Sequence, residues 1–342
     1  MVIMLQGMMK IHTCIVRAVS ITLTRELATG QTGADKALLS KLRKKTGFPF
    51  ISCKKALDQF DGDLELVSTG LQAEKWLQEQ AQKEGWAKAT KLQNRPMSQG
   101  LVGVVGDQQT ATMVEVNCET DFVARNEKFV KLVSSLALAC QEHFLSQPDR
   151  KVSMDGTALR DLQAGEGQTL ADLVALEVGS VGENMSLRRA VHLRAADNNF
   201  LSSFVHVSGP DINTNSECKL GKFGSLLELQ DLPVESEDTR DSSSSSDSDS
   251  DSDSSSEEEE APLTREEACR QLGQHVVGMN PRHIGKEEDE PSKSKDEEDK
   301  LIFQEFLMNP SLSVKDMLKK NHLAVKEFVR FECGEDLGED TS

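Results

Sequence analysis

Three consecutive side chains at a strand-to-helix junction, Thr120, Asp121 and Phe122, are the group in this sequence best suited to chemistry. They follow a strand-like run that ends at Cys118. The hydroxyl of Thr120 can cap the following helix, and the helix dipole favours the carboxylate of Asp121 in the first turn. A carboxylate beside an aromatic ring offers hydrogen-bond acceptance and apolar contact.

The same stretch has a purely structural interpretation. Thr120 is then a cap, Asp121 a partner of the helix dipole, and Phe122 a core residue. The helix is predicted to run from Asp121 to about His143, with an apolar stripe at helical spacing. That stripe comprises Phe122, Phe129, Val133, Leu136 and Cys140. One turn along, Arg125 and Asn126 fit a solvated helix face, a helix break capped by Asn126, or a partner contact.

The whole string from Val116 to Asn126 closely resembles the signature of elongation factor Ts. That family removes GDP from the translational GTPase elongation factor Tu. The resemblance implies that this helix start wedges into the GTPase near its magnesium site. The residues it assigns to partner contact are Thr120, Asp121, Phe122, Val123, Arg125 and Asn126.

His275 is a second candidate for partner contact. It flanks a stripe formed by Leu272, Val276 and Met279, which the spacing predicts to be buried. A lone histidine in that position is ordinarily a surface or core-edge residue. The string from Arg270 to Pro281, however, resembles the segment in which the family places a histidine near the partner's nucleotide-binding domain. No nucleophile lies near it in the sequence, so a hydrolase gains no support.

Residues 34–82 are predicted to form a three-helix module. The segments Lys41–Gly47 and Cys53–Leu57 resemble the ubiquitin-associated-like module that opens elongation factor Ts. The family uses it to contact the GTPase domain of its partner, and ubiquitin binding is the alternative. A polar connector is expected at 83–99.

The remainder predicts an α+β fold with two sheet-and-helix subdomains, at 100–168 and 169–337. A hairpin is expected across residues 107–109. In its second strand, the alternation predicts that Val114, Val116 and Cys118 are buried. The opposite face carries Met113, Glu115 and Asn117 and is expected to be exposed.

In the second subdomain, the pattern predicts two strands, at 186–193 and 199–207, joined by a turn at 196–199. A further strand is expected at 223–229, and another at 328–334. Helices are expected at 264–279 and 313–320, with Thr264 and Glu267 forming a capping box at the start of the first.

The chain carries a net charge of −18, of which −12 lies between Asp231 and Pro262. This balance argues against general binding to nucleic acids or anionic membranes. The serine- and acid-rich insert at 231–262 cannot bury enough apolar surface to offset chain entropy, so it is expected to be disordered. It fits a solvated spacer or a mimic of nucleic acid.

Residues 1–33 carry three basic side chains and one acidic one, with apolar residues at helical spacing. That pattern predicts a mitochondrial presequence, the alternative being a disordered tail. Seven scattered cysteines without a Cys-x-x-Cys motif favour a reducing compartment and support neither disulfides nor zinc. A short tail is expected at 338–342.

Together, these features predict a guanine nucleotide exchange factor for mitochondrial elongation factor Tu, located in the mitochondrial matrix. It would bind the GDP-bound and nucleotide-free forms of that partner, without cofactor, metal or covalent chemistry, and without contacting nucleic acid or membrane. The alternative is a ubiquitin-binding or scaffold protein without exchange activity. A metabolic enzyme would need a phosphate loop, a metal-ligand spacing or a catalytic set, and the sequence contains none of these motifs.

Overall fold

The structure is a computed structural model. It describes residues 33–46, 48, 50–59, 66–165, 167–207, 217–233 and 263–337. The predictions for residues 1–32, 234–262 and 338–342 therefore lie outside the described residues. The chain divides into two compact units, Met1–Lys83 and Glu84–Ser342.

The described part of the smaller unit is helical. Helix α1 spans Gly33–Thr46, α2 spans Phe50–Gln59, and α3 spans Leu66–Leu92 and continues into the larger unit. A small apolar core joins the helices of this unit. It is formed by Leu39, Leu42, Cys53, Ala56, Ala73 and Leu77. The Thr46 hydroxyl donates to the carbonyl of Leu42 at 2.7 Å in the last turn of α1.

The predicted polar connector at 83–99 is instead helical as far as Leu92. In the larger unit, Ala89 and Leu92 pack against the apolar core, and Trp86 is half-buried. Its indole N–H donates to a carboxylate oxygen of Asp172 at 2.9 Å. These contacts favour a helix where the polar composition alone indicated a linker.

The larger unit combines helices with antiparallel strands. Its strands are β1 (Gln99–Gly106), β2 (Thr110–Cys118), β3 (Lys151–Asp155), β4 (Met185–Arg194), β5 (Asn199–His206), β6 (Cys218–Gly221), β7 (Phe223–Asp231) and β8 (Leu323–Glu332). Its further helices are α4 (Asp121–Ala124), α5 (Glu127–Leu145), α6 (Gly156–Leu159), α7 (Leu170–Val181), α8 (Arg265–Met279) and α9 (Val314–Lys320). Short 3₁₀ turns occur at Lys295–Glu297 and Leu301–Phe303.

Within the described residues, the strands form two sheets. One has the order β3-β4-β2-β1-β6 and the other the order β5-β7-β8, with antiparallel pairing throughout. The predicted α+β class is confirmed. The β1–β2 hairpin is also confirmed, and the Asp107 carboxylate accepts from the N–H groups of Gln109 and Thr110 at 2.7 and 2.9 Å. Among the described residues, no helix is long and apolar enough to cross a membrane.

The sheet pairing does not follow the predicted division at 168/169. Strand β4 pairs with β2, and α7 shares an apolar core with α5, so residues 170–194 belong to the first sheet. The turn at 196–199 carries the chain from one sheet to the other and does not close a hairpin. The sequence pattern of a single strand is compatible with either sheet. Pairing with strands distant in the sequence determines which sheet it joins.

Both faces of β2 are buried, which corrects the expectation that one is exposed. Met113 is fully buried between the two sheets, with Val102, Leu226 and Phe331. Glu115 is also fully buried, because Arg188 and Arg189 approach its two carboxylate oxygens at 3.0 and 2.7 Å. Asn117 is 3% exposed, and its amide N–H donates to Glu115. A buried carboxylate is tolerated here because it is paired.

Three further predictions concern the second sheet and the helices beside it. The helix expected at 313–320 is confirmed as α9, and Ser313 and Asp316 form a capping box at its start. The Thr264 hydroxyl caps α8 by accepting from the N–H of Glu267, but the Glu267 carboxylate bonds to Arg270 and Gln271. The predicted capping box at α8 is therefore only half formed. Asp231, assigned to the acidic insert, instead ends β7 and pairs with Arg265 at 3.0 Å.

Candidate functional site

The turn between β2 and α4 has the predicted cap. Thr120 has extended backbone angles (φ −125°, ψ 154°), and its hydroxyl oxygen accepts from the N–H of Val123 at 3.3 Å. Asp121 is the first residue of α4 and lies where a carboxylate interacts favourably with the helix dipole. The local chemistry expected for Thr120 and Asp121 is confirmed.

Phe122 lies on the surface and is not a core residue. It is 83% exposed, whereas Val123 and Ala124 are only 6% and 4% exposed. The rest of the predicted stripe, Phe129, Val133, Leu136 and Cys140, is fully buried. The two buried neighbours anchor the turn, so α4 presents the aromatic ring to solvent from a fixed base.

The predicted helix from Asp121 to His143 is two helices, which explains why the stripe excludes Phe122. Helix α4 ends after Ala124, and Asn126 caps α5 by accepting from the N–H of Lys128 at 2.9 Å. Because the helix is broken between Phe122 and Phe129, these two residues do not lie on the same helix face, as the predicted stripe required. The structure shows the helix break with Asn126 as its cap, and a partner contact by Asn126 stays a prediction.

Arg125 and Asp121 form an exposed ion pair. The guanidinium and carboxylate lie 3.2 Å apart at spacing i, i+4, with side chains 69% and 44% exposed. Such surface pairs stabilise a fold by roughly 0.3–0.5 kcal/mol. Both groups therefore remain accessible to a partner, and the pair adds little to folding.

Two glutamates that sequence reasoning missed hold this turn from behind. The Thr120 hydroxyl donates to the Glu183 carboxylate, whose oxygens lie 3.0 and 2.9 Å away. Glu119 accepts from the backbone N–H of Asn184 at 2.6 Å and pairs with Arg95 at 3.3 Å. Glu183 lies far from Thr120 in the sequence, so no local pattern could have shown that they meet.

Cys118, at the end of β2, is buried and unreactive. Its thiol donates to the carbonyl of Thr120 at 3.2 Å. Burial, with a smaller contribution from the carboxylates of Glu183 and Asp121, raises the pKa of this thiol to about 12. A thiol with so high a pKa is not a nucleophile near neutral pH. Cys118 therefore supports the turn and does not react.

His275 is fully buried, which corrects its predicted role as a direct partner contact. Its Nδ1 accepts from the N–H of Leu307 at 3.1 Å, and its Nε2 donates to Gln304 at 3.0 Å. The ring stacks on Phe306 with 5.7 Å between centroids. Burial lowers the pKa of His275 to about 4, so the imidazole is neutral. The predicted stripe is buried at Leu272 and Val276, whereas Met279 is 39% exposed.

The segment held by His275 presents apolar side chains to solvent. Leu307 and Met308 are 40% and 38% exposed, close to the exposure of Met279. Leu307 also packs close to Gly278, where an added Cβ would lie 2.9 Å from its Cδ2. We call Met279, Leu307 and Met308 the C-terminal apolar patch. It rests on the second sheet's core, whereas α4 rests on the core of the first sheet.

Phe122 gives this α+β protein a surface aromatic on a firmly anchored turn, and such residues are enriched where proteins bind other proteins. Across the described ranges, no cluster of three His, Cys, Asp or Glu side chains is arranged to hold a metal ion. The fold and the exposed turn define the class: an α+β protein with a surface suited to contact with another protein.

Comparisons with known proteins agree with this class and identify a particular family within it. A family model described as elongation factor Ts, mitochondrial, N-terminal, matches residues 24–87, and one described as elongation factor TS matches residues 119–302. Proteins called mitochondrial elongation factor Ts are similar to this chain. Those of Xenopus laevis and Branchiostoma floridae are 42% and 40% identical, over 89% of this chain and 88% and 90% of their own lengths. The human protein is 37% identical over 89% of this chain and 85% of its own length.

The chain belongs to the elongation factor Ts family. Its relatives place it in the mitochondrial branch, and it serves as a nucleotide exchange factor for elongation factor Tu in mitochondrial translation elongation. The expected family and function are confirmed, and the ubiquitin-binding or scaffold alternative is not favoured. The roles of individual site residues stay predictions.

Proposed function

We propose that Asp121 and Phe122 are the wedge with which this chain releases GDP from mitochondrial elongation factor Tu. The observation that carries the proposal is the contrast along α4. Phe122 is 83% exposed, while the next two residues are almost completely buried. The buried residues of α4 hold this large apolar side chain in water. Its burial by a partner would therefore favour binding by roughly 1.5–3 kcal/mol. Folding alone gives no reason for that exposure.

The wedge acts on the metal and phosphate site of the partner. GDP is held there by backbone amides of a phosphate loop and by Mg²⁺, which demands near-ideal octahedral geometry. The Phe122 ring displaces a partner element that carries a metal ligand, and the Asp121 carboxylate competes for nearby hydrogen-bond donors. This chain then binds the nucleotide-free partner until GTP enters. It makes and breaks no covalent bond.

A wedge of one aromatic residue is too small for the whole task. Accelerating release ~1,000-fold needs about 4 kcal/mol of differential stabilisation, more than one buried aromatic supplies. We therefore assign a second contact to the C-terminal apolar patch, with His275 as its support. Reciprocity also follows: GDP weakens binding of this chain by the same factor as this chain weakens binding of GDP.

The remaining assignments rest on the family. The module at 34–82 is ubiquitin-associated-like and contacts the GTPase domain, which the exposed Phe50 and Ile51 of α2 support. Residues 1–33 direct the chain to the mitochondrial matrix. The insert at 231–262 serves as a spacer, apart from Asp231 at the end of β7. The net charge of −18 supports the absence of direct contact with nucleic acid or membrane.

The test is release of fluorescent GDP from mitochondrial elongation factor Tu at saturating exchange factor. Phe122→Ala is expected to lower the maximal release rate about 10- to 100-fold, the equivalent of one lost aromatic contact. Leu138→Ala is the matched control, because Leu138 is an exposed apolar residue (41%) on the neighbouring helix α5. Full acceleration by Asp121→Ala combined with Phe122→Ala would show that the wedge assignment is wrong.

A further inference from the structure

The turn that presents Phe122 depends on a hydroxyl with two hydrogen bonds. The Thr120 oxygen accepts from the N–H of Val123 and donates its single proton to the Glu183 carboxylate. The carboxylate thus fixes the rotation of the hydroxyl and aims a lone pair of its oxygen at the Val123 amide. Without that acceptor, the hydroxyl can turn and the cap of α4 weakens.

Glu183 is held in place by the chain on both sides of it. Gly182 ends α7 in the left-handed conformation (φ 88°), and its N–H donates to the carbonyl of Val178. On the other side, Asn184 is 4% exposed and donates its backbone N–H to Glu119. Its side-chain amide donates to the carbonyl of Arg95 at 3.2 Å. The carboxylate therefore meets Thr120 from a fixed direction.

Helix α7 is itself fixed against α3 within the larger unit. An added Cβ at Gly85 would lie 2.2 Å from the carbonyl oxygen of Ala175, so the two helices touch backbone to backbone. The Trp86 indole also bonds to Asp172 in the first turn of α7. These contacts make α7 a firm base for the residue that follows it.

We propose that Glu183 is a positioning residue for nucleotide exchange: its hydrogen bond to Thr120 holds α4 so that Phe122 projects at the angle that the partner requires. The inference rests on the proposed wedge. Glu183 acts through Thr120 and need not touch the partner. The Glu183 side chain must be long enough to accept the hydrogen bond from Thr120. A negative charge at position 183 without that hydrogen bond does not hold α4 in place.

Three substitutions separate reach from charge. Glu183→Gln keeps the length and an acceptor oxygen, so it is expected to retain most of the exchange activity. Glu183→Asp keeps the charge but is one methylene shorter, and Glu183→Ala removes the acceptor altogether. Both are expected to lower the maximal GDP-release rate about tenfold, since losing a hydrogen bond to a charged group commonly costs that factor. Glu127→Gln is the matched control, because it removes the same charge from the start of α5, where Glu127 pairs with Lys131.

Hydrogen–deuterium exchange of the free protein supplies a readout independent of elongation factor Tu. In Glu183→Asp and Glu183→Ala, the peptide covering 119–126 is expected to exchange at least tenfold faster, with that covering β2 unchanged. If Glu183→Ala does not fold, Glu183→Asp gives the same test.

Full GDP release and unchanged protection of 119–126 in Glu183→Asp would overturn the inference. So would a loss of GDP release in Glu183→Gln equal to that in Glu183→Asp, or the same loss in Glu127→Gln. These results are distinguishable from failure of the wedge. If the wedge assignment is wrong, Phe122→Ala itself leaves GDP release unchanged. Hydrogen–deuterium exchange of residues 119–126 then still reports whether Glu183 holds the turn.

Discussion

Phe122 and His275 were both assigned to partner contact by the same resemblance, yet the structure places them in opposite environments. Phe122, an apolar residue within a predicted core stripe, is 83% exposed, and His275, a polar residue flanking another stripe, is fully buried. The first is held in water by the buried residues after it. The second is held in the core by partners for both ring nitrogens. The burial of a polar residue is explained when the fold supplies its hydrogen-bond partners, as it does for His275. The exposure of Phe122 has no such explanation in the fold, and it therefore points to a function.

The contrast predicts that His275 matters first to stability. His275→Ala removes two hydrogen bonds and a stacked ring from a closed core, so the free energy of unfolding should fall by about 2–4 kcal/mol. Urea denaturation measures it. His283→Ala, at an exposed histidine, is the control and should change stability by less than about 0.5 kcal/mol. Unchanged stability of His275→Ala would contradict the structural role.

A pH titration sharpens the same point. Burial lowers the pKa of His275 to about 4 in the folded state, from an ordinary value of 6.5. The unfolded chain therefore binds a proton first as the pH falls, and stability present above pH 6.5 is lost between 6.5 and 4. The slope should reach at most roughly 1.4 kcal/mol per pH unit for this one proton.

The measurement compares the unfolding free energy of wild type and His275→Ala across that range. His192, whose pKa burial also lowers to about 4, is present in both proteins and cancels. Wild type should show the steeper loss. Parallel curves would mean that His275 is not held neutral in the core.

Asn126 lies between the two extremes, on the surface but with a structural role. Asn126→Ala should cost about 1 kcal/mol of stability through loss of the α5 cap, whereas Asn126→Asp should retain it. Thermal and urea unfolding of both variants test this. Slower GDP release in Asn126→Ala without any loss of stability would instead identify Asn126 as a partner contact.

Arg125 should show the smallest effect on folding. Because its ion pair with Asp121 is exposed, Arg125→Ala should change the unfolding free energy by less than about 0.5 kcal/mol. Urea denaturation decides the point, with Lys131→Ala as a control in the neighbouring exposed pair. A loss above about 1 kcal/mol would show that the pair stabilises α4 more than its exposure suggests.

Local patterns predicted the features that local chemistry decides. The cap at Thr120 and the β1–β2 hairpin follow from residue types and spacing over a few positions. Long-range contacts decided the others. Glu115 is buried because Arg188 and Arg189 arrive from β4, which the alternation in β2 cannot show. The division between the sheets likewise depends on a pairing between distant strands.

The candidate site shows the same limit. The signature at 116–126 located the turn, but its periodicity placed Phe122 in the core because a single continuous helix was assumed. The cap at Asn126 interrupts that helix. Glu183 was missed because its contact with Thr120 forms only when β4 pairs with β2. The sequence identified the segment at 116–126, and the structure added which of its side chains are exposed and which are buried.

The most direct test of the account measures the maximal GDP-release rate and the unfolding free energy of Phe122→Ala in parallel. The account predicts GDP release about 10- to 100-fold slower than with wild type, and an unfolding free energy within about 0.5 kcal/mol of wild type. An unfolding free energy lowered by about 3–5 kcal/mol, as for truncation of a core phenylalanine, would contradict it. So would an unchanged rate of GDP release.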